Sequence, residues 1–560
     1  MKNPVIKMVF LQLILIGYGI GVRSVDQEYE KILDEQPYRS AFHFQPPKNW
    51  MNDPNGPMLY NGVYHLFYQY NPYAAIWGNI SWGHSVSYNL VDWIHLEPAL
   101  DPTEKYDING CWSGSATLLA GESKPVILYT GSDFLGQQVQ NLAMPKDLSD
   151  PLLREWLKSS HNPLMLPVEG IDPDFFRDPT TAWQGPDGSW RVLVGSQVGG
   201  HGCALLYRSR DFVKWERASG PLHESNKTAM WECPDFYPVG DDGRYVLKAS
   251  FNDHDYYVLG SYDAETDEFG VVGVDFMDDV VQLRYDYGVF YASKTFYDDA
   301  RKRRVLWGWV TEADSEADDV ERGWSGLMSF PRSVLLDEDQ KQLIQWPIEE
   351  VEELRGEKVA LENKEIESGN VLEIGGITAS QADVEVSFRV PNLEAVEVID
   401  GGLLDPQMLC RQKNASVEGV FGPFGLLVLA SDDLTEQTAV FFRVFRQNEK
   451  HVVLMCSDQS RSSLQTRVKE AIFGSFLDVD LDQEISLRTL VDHSIVESFG
   501  GKGKSCITSR VYPKLAIHNN SHVHAFNNGS KSVMISRLEA WSMSRARLVQ
   551  VHTRRKPSFS

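Results

Sequence analysis

The sequence predicts an all-β chain: a five-bladed β-propeller followed by a C-terminal β-sandwich. Three observations carry this. Runs rich in Val, Leu, Tyr and Phe begin at Tyr64, Val126, Arg191, Tyr245 and Val305, about 55 to 65 residues apart, each bounded by Gly, Pro, Asn or Asp. Short punctuated runs of strand formers at this period match propeller blades with longish loops. Ser87-Tyr88-Asn89-Leu90-Val91-Asp92-Trp93 resembles Ser209-Arg210-Asp211-Phe212-Val213-Lys214-Trp215, about two blade lengths further on. From 371 to 543 alternation is again period two, most cleanly over 383–390, but no blade-length unit recurs. That pattern points to two packed sheets.

In chain order, Lys2 and Lys7 precede an apolar run from Met8 to Ile20. A short apolar run behind basic residues predicts a signal peptide, residues 1–24, and hence a secreted chain. Residues 38–347 form the predicted propeller, ending at Gln345-Trp346-Pro347. Residues 348–370 are read as a linker, with 349–354 its one short helical stretch. Residues 371–545 are the predicted sandwich and 546–560 a frayed tail. No later segment is long and apolar enough to span a bilayer, so no membrane partner is expected after signal removal. Sequons at Asn79, Asn226, Asn414, Asn519 and Asn528 are consistent with a glycosylated secretory protein. The six cysteines form no C-x-x-C pair, which argues against structural zinc. Cys410 and Cys456, both flanked by strand-like runs, are the expected disulfide; the alternative is six free thiols.

The formal net charge of -25 argues against a nucleic-acid partner, because phosphate binding needs a basic face. It suits a neutral substrate and an acidic compartment. No nucleophile elbow, Walker loop, zincin motif or EF-hand is present, and no metal or cofactor is expected. His254 between Asp253 and Asp255 is read as a solvated turn histidine.

Most of the 78 acidic residues must be surface charges, so position in the repeat selects among them. Asp53 lies about 11 residues before the first strand run, and Asp178 and Glu232 about 13 before the third and fourth. Equivalent blade positions face one axis, so the three carboxylates should share a pocket. Paired carboxylates beside aromatic rings are what glycoside cleavage requires: one attacks the anomeric carbon and one, kept protonated, donates to the leaving oxygen. Asn52, Gln69, Trp77, Trp112, Ser113 and Arg177 are the predicted walls.

At these segments the chain resembles glycoside hydrolase family 32. Trp50-Met51-Asn52-Asp53-Pro54-Asn55-Gly56 is similar to its β-fructosidase box, and Phe176-Arg177-Asp178-Pro179 to its second box. Trp231-Glu232-Cys233-Pro234-Asp235-Phe236 resembles its third, in the form of plant acid invertases and fructan exohydrolases. Trp112-Ser113-Gly114-Ser115-Ala116-Thr117 is similar to its sucrose-binding box. The resemblance implies a retaining mechanism without cofactor: Asp53 as nucleophile, Glu232 as acid/base, Asp178 as transition-state stabiliser. It implies a fructan or sucrose substrate, a monomer, and the apoplast, cell wall or vacuole as location.

One departure sets the expected specificity. Related cell-wall invertases carry, after the third box, an Asp followed three residues later by Lys or Arg, assigned to the glucose half of sucrose. Here Lys248-Ala249-Ser250-Phe251-Asn252-Asp253-His254-Asp255-Tyr256-Tyr257 lacks that spacing. Specificity built on hydrogen bonds collapses without the partners. The expected activity is therefore a fructan exohydrolase on inulin- or levan-type chains. The rivals are an acid invertase, a fructosyltransferase and a catalytically dead fructan-binding protein.

Overall fold

The computed structural model describes residues 36–550 except 120–123, 169, 241, 278–281, 392, 400–404, 448–449, 470 and 481–483. The predicted signal peptide lies outside the described residues. Between 49 and 347, five antiparallel sheets follow one another along the chain, each built around four strands that run outward from an innermost one. We number these blades I to V. Their innermost strands are Asn49–Tyr60, Cys111–Leu119, Phe176–Arg177 with Trp183–Gln184, Glu232–Val239 and Tyr291–Asp298.

The repeated segment forms one turn built twice, between the third and fourth strands of blades I and III. Asn89 Oδ1 accepts from the backbone N–H of Asp92 at 2.8 Å, and Asp211 Oδ1 from that of Lys214 at 2.8 Å. Leu90 and Phe212 both take φ 62°. A short polar side chain that caps its own turn makes that left-handed position tolerable. Two parallel additions extend blade I: Trp324–Ser325 pairs with Asn49–Trp50, and Leu548–Gln550 pairs with Trp93–His95. The second corrects the predicted frayed tail at Leu548–Gln550; residues 551–560 lie outside the described residues. Leu548–Gln550 supplies the outer hydrogen bonds that blade I would otherwise leave to water.

The predicted linker is corrected only beyond its short helical stretch. Glu349–Leu354 is a single 3-10 stretch, and Arg355–Ile366 is a strand paired with Val533–Met543. Its inner face is weakly apolar, as expected of a strand at a sheet edge. Among the described residues, two α-helices escape the strand-only reading. Glu316–Arg322 starts at a capping box of Ser315 and Asp318, and Pro406–Gln412 starts at Asp405, whose side chain accepts from Gln407 and Met408. Both starts follow ordinary capping rules. The remaining strands form two packed sheets around Val384, Val386, Phe388, Leu426, Val428, Val440 and Phe442. A disulfide joins Cys410 on the second helix to Cys456 in Lys450–Asp458.

A buried ionic cluster fastens the two halves. His43 Nδ1 lies 2.8 Å from Asp492 and its Nε2 3.0 Å from Glu497, all fully buried. Arg332 of blade V reaches Glu497 at 2.7 Å and Asp286 at 2.9 Å. Burial alone would lower the His43 pKa; its bonds to Asp492 and Glu497 overturn this and push it up to about 9. Burial likewise opposes ionisation of Glu497, but Arg332 and His43 prevail and hold it down to about 2. A paired imidazolium with both N–H groups satisfied is the form that justifies so dry a charge.

The His43 contribution is therefore complete below its ordinary 6.5 and is lost as pH rises through about 9. Glu497 contributes above its ordinary 4.5 and loses that as pH falls towards 2. We expect wild-type stability to fall by up to about 3 kcal/mol from this source between pH 6.5 and 9. His43→Gln should be less stable near neutrality and lack that alkaline decline. Unfolding midpoints across this range check it; parallel profiles for the two proteins would contradict it.

Candidate active site

The predicted carboxylates converge because each inner strand breaks its ladder at the same level. Register shifts fall between Met51 and Pro54, Cys111 and Gly114, Glu232 and Asp235, and Tyr291 and Lys294. In blade III the strand stops at Arg177, and Asp178 takes φ 67°. Cys233 and Ala292 also have positive φ, 44° and 54°. A bulge frees one residue from pairing and re-aims its side chain. Four bulged strands and one that stops thus turn Asp53, Ser113, Asp178, Glu232 and Tyr291 together around one axis.

Asp53 is held from three sides. Ser113 Oγ donates to its Oδ2 at 2.6 Å and Asn52 Nδ2 to its Oδ1 at 2.9 Å, while Trp50 Nε1 fixes the Asn52 amide at 2.8 Å. The Cys233 thiol stands 3.4 Å from Asp53 Oδ2 and 3.5 Å from Asp178 Oδ2. The Cys233 backbone N–H donates to Asp178 at 2.8 Å. Glu232 is gripped differently: Arg177 Nη2 donates to Oε1 at 2.6 Å, and the Tyr291 hydroxyl donates to Oε2. Arg177 is itself positioned by Gln138 Oε1 at 3.1 Å and the Asp174 carbonyl at 2.9 Å.

The electrostatics follow from crowding. Burial first, and Asp178 next, push Asp53 up to about 6, against the bonds from Ser113 and Asn52. Burial also raises Asp178, with Arg177 opposing and Glu232 adding. Burial, then Asp178 and Asp53, drive the Cys233 thiol well up, so it stays a neutral donor between two acids. Burial and Glu232 raise the Tyr291 phenol in the same way. The pocket thus gathers two buried aspartates with raised proton affinity, a neutral thiol and a neutral phenol beside one guanidinium.

The other predicted residues take distinct places. Trp77 is 56% exposed and packs edge-on against Trp112, ring centroids 6.1 Å apart. Gln69 is buried and donates to the Cys111 carbonyl at 3.2 Å, tying blade I to blade II beneath the pocket. His254, expected in solvent, is corrected: it lies in the strand His254–Asp263 beside Tyr256, and burial lowers it to about 4. Tyr291, Gln138 and Cys233 were not among the predicted site residues. Tyr291 lies 14 residues before Val305, close to the offset that selected Asp178 and Glu232, so the repeat did contain its signal.

This arrangement defines a class: a propeller with carboxylates on its axis, braced by hydrogen-bond donors and walled by tryptophans, suited to acid/base and nucleophilic work on a sugar. Comparison with known proteins places it further. The model of the glycosyl hydrolases family 32 N-terminal domain matches residues 43–347, and that of the family 32 C terminal matches 350–542. The chain belongs to glycoside hydrolase family 32 and is a glycosidase. It is 53% identical to an insoluble β-fructofuranosidase isoenzyme of Arabidopsis thaliana, over 96% of this chain and 97% of that protein. It is also 53% identical to a fructan 6-exohydrolase of Beta vulgaris, over 96% and 94%. The crystal structure of fructan 1-exohydrolase IIa from Cichorium intybus superposes with a TM-score of 0.91 at 55% identity, covering 92% of this chain and 99% of that one.

Ser113→Ala removes a bond that favours ionised Asp53. We expect the acid limb of kcat/KM to move up by about one pH unit, since a bond to a charged group is worth about 1.5–3 kcal/mol. A pH profile on any hydrolysed fructoside checks it; an unmoved limb would detach Asp53 from the rate.

Proposed function

We propose that this protein is a retaining, exo-acting hydrolase that releases terminal β-fructofuranosyl units from fructans. Asp53 attacks the anomeric carbon while Glu232 passes its proton to the departing glycosidic oxygen, leaving a fructosyl ester on Asp53. Glu232, now a carboxylate, takes a proton from water; the water oxygen bonds the anomeric carbon and the ester bond to Asp53 breaks. Asp178 accepts hydrogen bonds from fructosyl hydroxyls and favours the cationic transition state. Asn52, Gln69, Trp77, Trp112, Ser113 and Arg177 shape and bind around that sugar.

The observation that carries the fructan reading is the tip of the blade IV hairpin. Ser250 pairs with Asp255 and Phe251 with His254, so only Asn252 and Asp253 make the turn, at φ 48° and 60°. Glu232 pairs with Ser250, which puts this tip at the pocket rim. The residue three positions after Asp253 is Tyr256, buried in the strand. A two-residue hairpin has no room for an acid–base pair at that spacing. The chicory relative solved with 1-kestose supports the same direction.

An acid invertase is the second reading. Asp253 is exposed at that rim, and the Arabidopsis relative is named a β-fructofuranosidase. A fructosyltransferase or an inactive binding protein would be betrayed by transfer products or by sugar binding without release. We further propose a secreted monomer with residues 1–24 as its signal peptide, working in the apoplast, cell wall or vacuole. Asn79, Asn226 and Asn519 are exposed and are the preferred glycan acceptors, whereas Asn414 is part-buried and Asn528 donates to the Ala415 carbonyl at 3.2 Å.

The test is fructose release from sucrose, inulin and levan by purified protein side by side, at about pH 5 where an acid/base pair of carboxyls works. We expect release from at least one polymer and little from sucrose. Fast sucrose cleavage with slow polymer cleavage would replace this reading with the invertase.

A further inference from the structure

Blade II carries an apolar feature that the reaction above does not use. Its second and third strands, Lys124–Ser132 and Gln138–Pro145, are joined by residues 133–137. Phe134 and Leu135 at this tip are 63% and 67% exposed. The tip is nonetheless fixed. Asp133 Oδ1 accepts from the backbone N–H of Leu135 at 2.8 Å and of Gln137 at 2.9 Å. Phe134 N–H donates to the Lys105 carbonyl at 3.0 Å, and Gly136 N–H to the Asp133 carbonyl at 2.9 Å. Two adjacent large apolar side chains are thus presented to water by a turn that its own hydrogen bonds hold in place.

The tip is continuous with the pocket. Gly131 pairs with Cys111, next to Trp112 and Ser113, so the tip stands at the pocket end of the blade. Gln138, which closes the turn opposite Ser132, bonds Arg177, and Arg177 bonds Glu232. Leu135 and Phe134 lie three and four residues from Gln138, at most about 10–14 Å of extended chain, or roughly two to three sugar rings. The leaving group departs on the Glu232 side of the terminal sugar. On that side Glu232 bonds Arg177, Arg177 bonds Gln138, and Gln138 begins the strand that leads from this tip.

We infer that Phe134 and Leu135 form a distal subsite that takes fructan units beyond the second and so favours polymers over short fructosides. Apolar C–H faces of furanose rings suit an aromatic and an aliphatic platform without charge. This rests on the fructan reading given above.

The experiment compares wild type with a Phe134→Ser/Leu135→Ser double variant on a fructosyl disaccharide and on the long fructan that wild type hydrolyses best. Both positions are exposed and Asp133 keeps the turn, so the fold should hold; unchanged disaccharide kinetics report that directly. We expect KM for the polymer to rise about tenfold with kcat little changed, and disaccharide kcat/KM to stay within about twofold. Equal losses on both substrates, or none on either, would overturn the subsite. Wild type that releases nothing from any fructan would instead overturn the fructan reading, and the subsite with it.

Discussion

Everything at this site depends on where five β-ladders break. Each inner strand pairs with its neighbour along most of its length and then slips or stops at one level. The slip costs backbone hydrogen bonds and places Asp178, Cys233 and Ala292 in left-handed conformations. Such positions persist only when the surroundings over-determine them. Here they do: the Cys233 amide goes to Asp178, and the Ala292 and Ser293 amides go to buried Asp255. Lys248 in turn neutralises Asp255 at 3.2 Å and donates to the Cys233 carbonyl at 2.9 Å. The strained backbone of blades IV and V is thus tied to one buried ion pair below the pocket floor.

That floor explains the division of labour among the acids. Asp53 sits among Ser113, Asn52 and a neutral thiol, and its burial first, with Asp178 next, raises its proton affinity. Glu232 faces Arg177 and Tyr291, two donors on separate blades that hold each carboxylate oxygen apart. Pockets that do acid and base work with like groups need such unlike surroundings. The sandwich acts at a distance: Glu497 and Thr508 accept from Arg332, and Thr508 donates to Asp286, which fixes the chain entering blade V ahead of Tyr291.

Much of this was legible in the sequence because propellers repeat. A blade period and an offset from each strand run sufficed to bring Asp53, Asp178 and Glu232 together. The same offset reaches Tyr291, but a phenol is not a carboxylate, and tyrosines recur throughout these strands. Other features were not legible for physical reasons. Arg355–Ile366 is charged and lacks clean alternation because it lies at the edge of its sheet, so it read as linker. Leu548–Gln550 joins blade I across the whole length of the chain, a pairing that no local pattern encodes. Gln138 and the His43 cluster matter only through contacts distant in sequence, His43 with Asp492 and Glu497 above all.

The most direct test of the account is to trap the sugar on the protein. Glu232→Gln removes the group that would activate water, so an activated fructoside should load the nucleophile faster than water unloads it. Peptide mass spectrometry of the quenched mixture should find one fructosyl unit on the peptide carrying Asp53. A label on Asp178 or another acid, or free fructose formed without any labelled peptide, would contradict the arrangement described for this pocket.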